Sequence, residues 1–218
     1  MPKIYKVKLH EIANIKTGLV LSRKRASPMS NFTKKYNTIS LKSFNENGFY
    51  DHSCLDTFIA DEKIKDEYLL KKDDILIRLK EPNIAVCVGK DYGDTIASSL
   101  VAIIRTTKND INPIYLTNYL NSSFAKRQFF KQSSAIPMLN IKTLENLKVI
   151  LPKKEAQDRI VQIQTLTYKE IDTLKNLIQQ KQIYANQIFN NIINQEIKND
   201  QNHTRHHKFS SLESVRYI

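Results

Sequence analysis

The sequence predicts an α+β fold: a small β-rich domain followed by a long coiled-coil-like C-terminal helix. Two observations carry this. Three strand-like apolar runs, residues 75–79, 84–88 and 100–105, lie close together and are punctuated by Gly89 and Gly93. From Lys153 to Lys198 the pattern turns helical, with neither glycine nor proline.

The elements follow in order. "YKVKLHEIANIKTG" reads as a short strand or extended lead-in, then a short helix from about His10 closed by Gly18. "LVLSRKRASP" leaves that element as a basic loop before Pro28. "YNTISLKSF" alternates and is β-like, and "NENG" makes a turn. After the three central strands the period changes at "NDINPIYLTNYLNSSFAKRQF". Asn112 can cap a helix, Pro113 suits its first turn, and Tyr115, Leu116, Tyr119 and Leu120 form an apolar face. A polar loop, a helical turn and a last strand over 147–151 end the domain at Pro152. The domain is thus residues 1–152, the helix 153–198 and a polar, His-containing, loosely ordered tail 199–218.

Within the helix Ile171, Leu174, Ile178, Lys181, Ala185, Ile188 and Ile192 recur at alternating spacings of three and four. This is a heptad seam with one lysine interruption, widened by Leu177, Tyr184 and Ile193. At 1.5 Å rise per residue the segment is roughly 65–70 Å long, more than so small a domain can cover. The seam therefore calls for a partner helix; the bland alternative folds it back over its own domain.

Charge is distributed unevenly. Of the net +12, residues 1–45 supply ten Lys/Arg against the single acid Glu11, residues 46–152 balance at fourteen of each sign, and residues 153–218 hold ten basic and seven acidic. Such concentration fits a polyanion-binding face better than general solubility. No apolar run is long enough to span a bilayer and the first residues lack a signal-peptide core, so a cytoplasmic protein is expected. Cys54 and Cys87, outside any CxxC pair, read as reduced thiols.

Catalytic signatures are missing. The four glycines form no phosphate-cradling loop. "NPIY" at residues 112–115 resembles the Asn-Pro-Pro-Tyr motif of adenine methyltransferases, but the second proline and a glycine-rich site are absent, and a helix start explains it. Glu196 and Lys198 make an ExK triplet in a helix end, the wrong context for a nuclease, and Asp73 and Asp74 read as a turn before a strand. His203, His206 and His207 lack the Cys or acidic partners of a zinc site, so no metal is expected.

Four passages, in order, resemble the DNA-specificity subunits of Type I restriction–modification systems. "KVKLHEIANIKTGL" matches an opening Leu-x-Glu-Ile-Ala-x-Ile-x-x-Gly. "LKKDDILIRLKEPNIAVCV" resembles the Gly-Asp-Ile-Leu strand, with Asp73 where glycine is usual. "INPIYLTNYLNSSFAKRQF" resembles the helix that follows. "AIPMLNIKTLENLKVILPKKEAQDRIVQI" resembles the final turn, the strand and the Pro-x-x-x-Glu-Gln-x-x-Ile start of the long helix, here broken to Glu155, Ala156, Gln157.

The resemblance implies a target-recognition domain reading part of a bipartite site on double-stranded DNA, followed by a spacer helix. Typical members carry two such units and this chain has room for one, so it implies a half-length subunit that homodimerises through the seam residues Ile171, Leu174, Ile178, Ala185, Ile188 and Ile192. It also implies a non-catalytic chain without cofactor. Methylation and cleavage, with S-adenosylmethionine, Mg and ATP, would belong to partner modification and restriction subunits. DNA-binding candidates are Lys16, Thr17, Arg23, Lys24, Arg25, Lys34, Lys35, Lys80, Lys131 and Gln132: cations for phosphates, with Arg23 and Arg25 also suited to guanine edges. Two other classes compete: a helical scaffold or regulator of a modification complex that does not read DNA, and a small metal-dependent nuclease or toxin.

Overall fold

The computed structural model describes residues 5–44, 50–131 and 138–213; at 41, 52, 130, 131 and 199–213 only the backbone is described. The chain divides into two compact units, residues 1–164 and 165–218.

In the first unit, strand β1 (Tyr5–Lys8) pairs antiparallel with β9 (Lys148–Leu151), joining its two ends. A four-stranded sheet has the order β2 (Ala13–Thr17), β8 (Val101–Thr106), β5 (Ile75–Arg78), β6 (Ala85–Cys87). A second, three-stranded sheet has the order β4 (Leu55–Ala60), β3 (Lys34–Ile39), β7 (Thr95–Ile96), with β3 and β7 parallel. Helices α1 (Pro113–Asn121), α2 (Ser123–Lys131) and α3 (Ile141–Glu145) follow, and then α4 (Lys154–Glu213).

The central strands read as unbroken apolar runs because both faces of their sheet are covered. Ile75 and Ile77 of β5, with Ala102 and Ile104 of β8, join one core with Leu116, Leu120, Leu144 and Val149. Leu76, Val101 and Ile103 point the other way, into a cluster with Ile39, Phe44 and Val86. A third cluster, of Tyr36, Phe58, Ala60, Ile64 and Ile96, lies against the smaller sheet.

The helix expected from His10 to Gly18 is a strand instead. Only Leu9–Glu11 makes a 3-10 turn; β2 follows and pairs with β8 from Ala13 opposite Thr106 to Thr17 opposite Ala102. Pairing with an already apolar strand outweighs a short, weak helical pattern. Gly18 is not a helix cap. A Cβ there would sit 2.3 Å from the Ala97 carbonyl oxygen, so glycine is needed for close passage of two backbones.

The single helix expected after residue 112 is two, broken at Ser122, whose backbone is extended and whose hydroxyl donates to the Tyr119 carbonyl at 2.6 Å. Asn112 caps α1 as expected, its side chain accepting from the Ile114 and Tyr115 amides. Tyr115 and Tyr119 donate to the Ile150 and Lys148 carbonyls at 2.6 and 2.9 Å, fastening α1 to β9; burial pushes the Tyr115 hydroxyl up to about 12.

Helix α4 begins inside the first unit. Gln157, 1% exposed, accepts from the Asn112 amide and donates to the Asp110 and Pro152 carbonyls, while Asn118 donates to Gln164 at 2.5 Å. These bonds carry the unit to Gln164, beyond the Pro152 expected from sequence. In the second unit α4 continues past Lys198, where the sequence reading starts the tail, to Glu213. Ile171, Leu174, Lys181, Ile178, Ala185, Ile188 and Ile192 are all exposed, as are Leu177, Tyr184, Phe189 and Ile193 beside them. At 100° per residue these side chains occupy about half of the helix circumference, wider than a strict two-position seam.

Candidate nucleic-acid interface

The hairpin of β3 and β4 gathers most of the basic candidates. Lys34 lies opposite Ala60 and Lys35 opposite Ile59. On the other edge of β4, Arg25 bridges Ala60, the Ala26 amide donates to the Ile59 carbonyl, and the Asp61 amide donates to the Lys24 carbonyl. Arg25 and Lys34 therefore flank Ala60 from two sides, about 10 Å apart at ordinary strand spacing.

The strand period sorts these side chains by face. Tyr36 and Phe58 are cross-strand partners and fully buried. Arg25 lies over the Phe58 ring at 5.6 Å and Lys34 over the Tyr36 ring at 5.0 Å. Two cations thus rest on adjacent aromatic faces at the rim of the third core cluster. The opposite face presents Lys35, Asn37, Thr57 and the half-exposed Ile59.

Acids far away in sequence engage three of the candidates. Lys24 pairs with Glu62, Lys34 with Asp94 at 2.8 Å, and Lys16 with Glu67 at 3.4 Å. The hydrogen bond that Lys24 donates to Glu62 raises its pKa, and the one that Lys34 donates to Asp94 raises that of Lys34. Lys16, in mid-strand and 4.5 Å from the Tyr68 ring, is lowered by burial more than Glu67 offsets. Arg23, Arg25, Lys35 and Lys80 form no carboxylate pair among the described residues.

Thr17 and Lys16 stand on β2 in the other sheet, apart in sheet membership from the β3–β4 hairpin. Lys80 is exposed between β5 and β6, where it bridges Met138; Asn83 closes that loop by donating to the Arg78 and Leu79 carbonyls. Lys131 ends α2 with only its backbone described, and Gln132 lies outside the described residues, as does most of the "KQSS" loop.

The acids considered for catalysis have structural work. Asp74, 3% exposed in its side chain, accepts two bonds from Arg105, at 2.7 and 2.9 Å, and Arg105 also donates to the Glu67 and Leu69 carbonyls. Asp73 has φ of 69°, which explains why glycine suits that position. Burial pushes the Cys87 thiol up to about 12, far from a nucleophilic thiolate. Among the described residues no group of three or more His, Cys, Asp or Glu is placed to hold a metal ion.

The family model for the Type I restriction modification DNA specificity domain matches residues 2–183, most of the chain. The chain belongs to this family. Similar solved structures include the HsdS subunit from Thermoanaerobacter tengcongensis, at 17% identity and a TM-score of 0.60, with 81% of this chain and 45% of that one covered. Another, described in work on complex assembly and conformational transition of the type I R-M system, has 14% identity and a TM-score of 0.62, with 83% and 47% covered. This specificity-domain chain thus spans less than half the length of the structures it matches, and at these identities the likeness shows the fold. No curated protein matches.

Sequence reading missed part of this surface. β4 carries Ile59 into the hairpin, and its sequence over residues 55–60, Leu-Asp-Thr-Phe-Ile-Ala, does not alternate. Met29 and Phe32, 93% and 47% exposed in the loop between Arg25 and Lys34, had no periodic signal.

Proposed function

We propose that this chain binds duplex DNA and reads one half of a bipartite site as the specificity component of a Type I restriction–modification system. The observation that supports it best is Arg25 and Lys35 at the β3–β4 hairpin, with Arg23 two residues before Arg25, none of which forms a carboxylate pair among the described residues. Cations free of carboxylates give phosphate contacts at no cost in broken ion pairs, and exchange of a surface carboxylate for phosphate brings in Lys24 and Lys34. Side chains of the hairpin's outer face and the loop after Arg25 then meet base edges.

On this reading α4 is a spacer and a dimer seam. Two copies joined along their exposed apolar faces would present two reading heads, one per half-site. The chain itself performs no chemistry. A modification subunit, and in the larger assembly a restriction subunit, bring S-adenosylmethionine, Mg and ATP. The setting is cytoplasmic; no helix among the described residues is long and apolar enough to cross a membrane.

The test is binding of the purified chain to a random-sequence duplex across a salt series. A steep fall in affinity with salt is expected. Binding that ignores salt, or none at all, supports the scaffold reading instead.

A further inference from the structure

The loop between Arg25 and Lys34 holds large apolar side chains in water without an evident folding reason. Met29 is 93% exposed and Phe32 is 47% exposed. The tip carrying Met29 is not slack. The Ser30 amide donates to the Ser27 carbonyl at 3.0 Å, and the Ser27 amide donates back to the Ser30 hydroxyl at 2.9 Å. The two hydroxyls lie 3.2 Å apart. Pro28, whose ring fixes φ, occupies the turn beside Met29. The side chain is therefore presented on a pre-ordered turn, which lowers the entropy cost of binding.

Both ends of the loop are basic. The loop leaves the fold at Arg25 and returns at Lys34, the two cations stacked on Phe58 and Tyr36, with Arg23 before it and Lys35 after it. An apolar point on a loop whose two ends carry cations suits a polyanion with apolar layers inside, which is a stacked base step between phosphates.

We infer that Met29 is a wedge: on the bound duplex it enters a base step, unstacks it and helps to choose which sequences bind. The inference rests on the DNA-reading role proposed above. The cost of opening a step varies with sequence and is least at flexible pyrimidine–purine steps, so the wedge contributes specificity without any hydrogen bond to a base. Phe32 supports the opened step from the side.

The experiment uses the full chain. A bound site is selected from a random 40-base-pair duplex pool and resynthesised with 2-aminopurine at successive positions. The wild-type chain is expected to raise fluorescence several-fold at one step. Met29→Ser should abolish that rise and weaken binding to the selected site more than tenfold. Met29→Leu should restore the rise. Selection of a site with no fluorescence change, or a rise unaffected by Met29→Ser, overturns the wedge and leaves DNA reading standing. Failure to enrich any duplex overturns both.

Discussion

The side-chain oxygen of Gln157 accepts the backbone amide of Asn112 at 2.9 Å, tying the first turns of the long helix to the residue that caps α1. Gln157 is buried and spends its amide group on the Asp110 and Pro152 carbonyls as well. Gln157→Ala strands one buried donor and two acceptors. It should destabilise the first unit by about 2 kcal/mol, read by denaturant unfolding. An unchanged midpoint would mean that these bonds do not hold the helix start.

Arg105 answers the buried charge of Asp74. Replacing Arg105 with Ala leaves a carboxylate in the interior beside two freed carbonyls. A loss of about 3 kcal/mol in denaturant unfolding is expected, since a broken buried pair costs more than the intact pair contributes. Arg105→Ala combined with Asp74→Asn should recover part of that loss.

Asp73 occupies the left-handed region that favours glycine. Asp73→Gly should therefore stabilise the fold slightly, by about 0.5–1 kcal/mol in the same assay, the strain removed exceeding the entropy lost. Destabilisation would show that the aspartate side chain contributes something the turn geometry does not.

The broad apolar face of α4 includes Ile178 and Ile188. Under the dimer proposal, Ile178→Asp or Ile188→Asp buries a charge in the seam, and light scattering should show a monomer at concentrations where the parent chain is a dimer. A charged variant that stays dimeric would move the interface elsewhere.

How much of this was legible in the sequence follows from the range of the interactions. The central strands, the Asn112 cap with Pro113, and the long helix are written in local pattern, and all three are present. The segment after His10 misled, because β2 is a strand only through its distant partner β8. In the same way the basic cluster of residues 23–35 was visible as composition. That Glu62, Asp94 and Glu67 would engage Lys24, Lys34 and Lys16 was not, since each pair closes a loop of tens of residues. Nor could sequence show that Arg25 and Lys34 flank Ala60, a relation made by hairpin register.

The central claim is that the β3–β4 hairpin and its flanking loop bind DNA. The direct measurement is the affinity of the Arg23→Ala, Arg25→Ala double variant for duplex DNA at matched salt, with unfolding measured in parallel. Both side chains are exposed and form no carboxylate pair among the described residues, so the fold should tolerate their loss. Binding should weaken more than tenfold, with a salt slope smaller by about two. Unchanged affinity in a folded variant would contradict the account and remove this surface from the DNA.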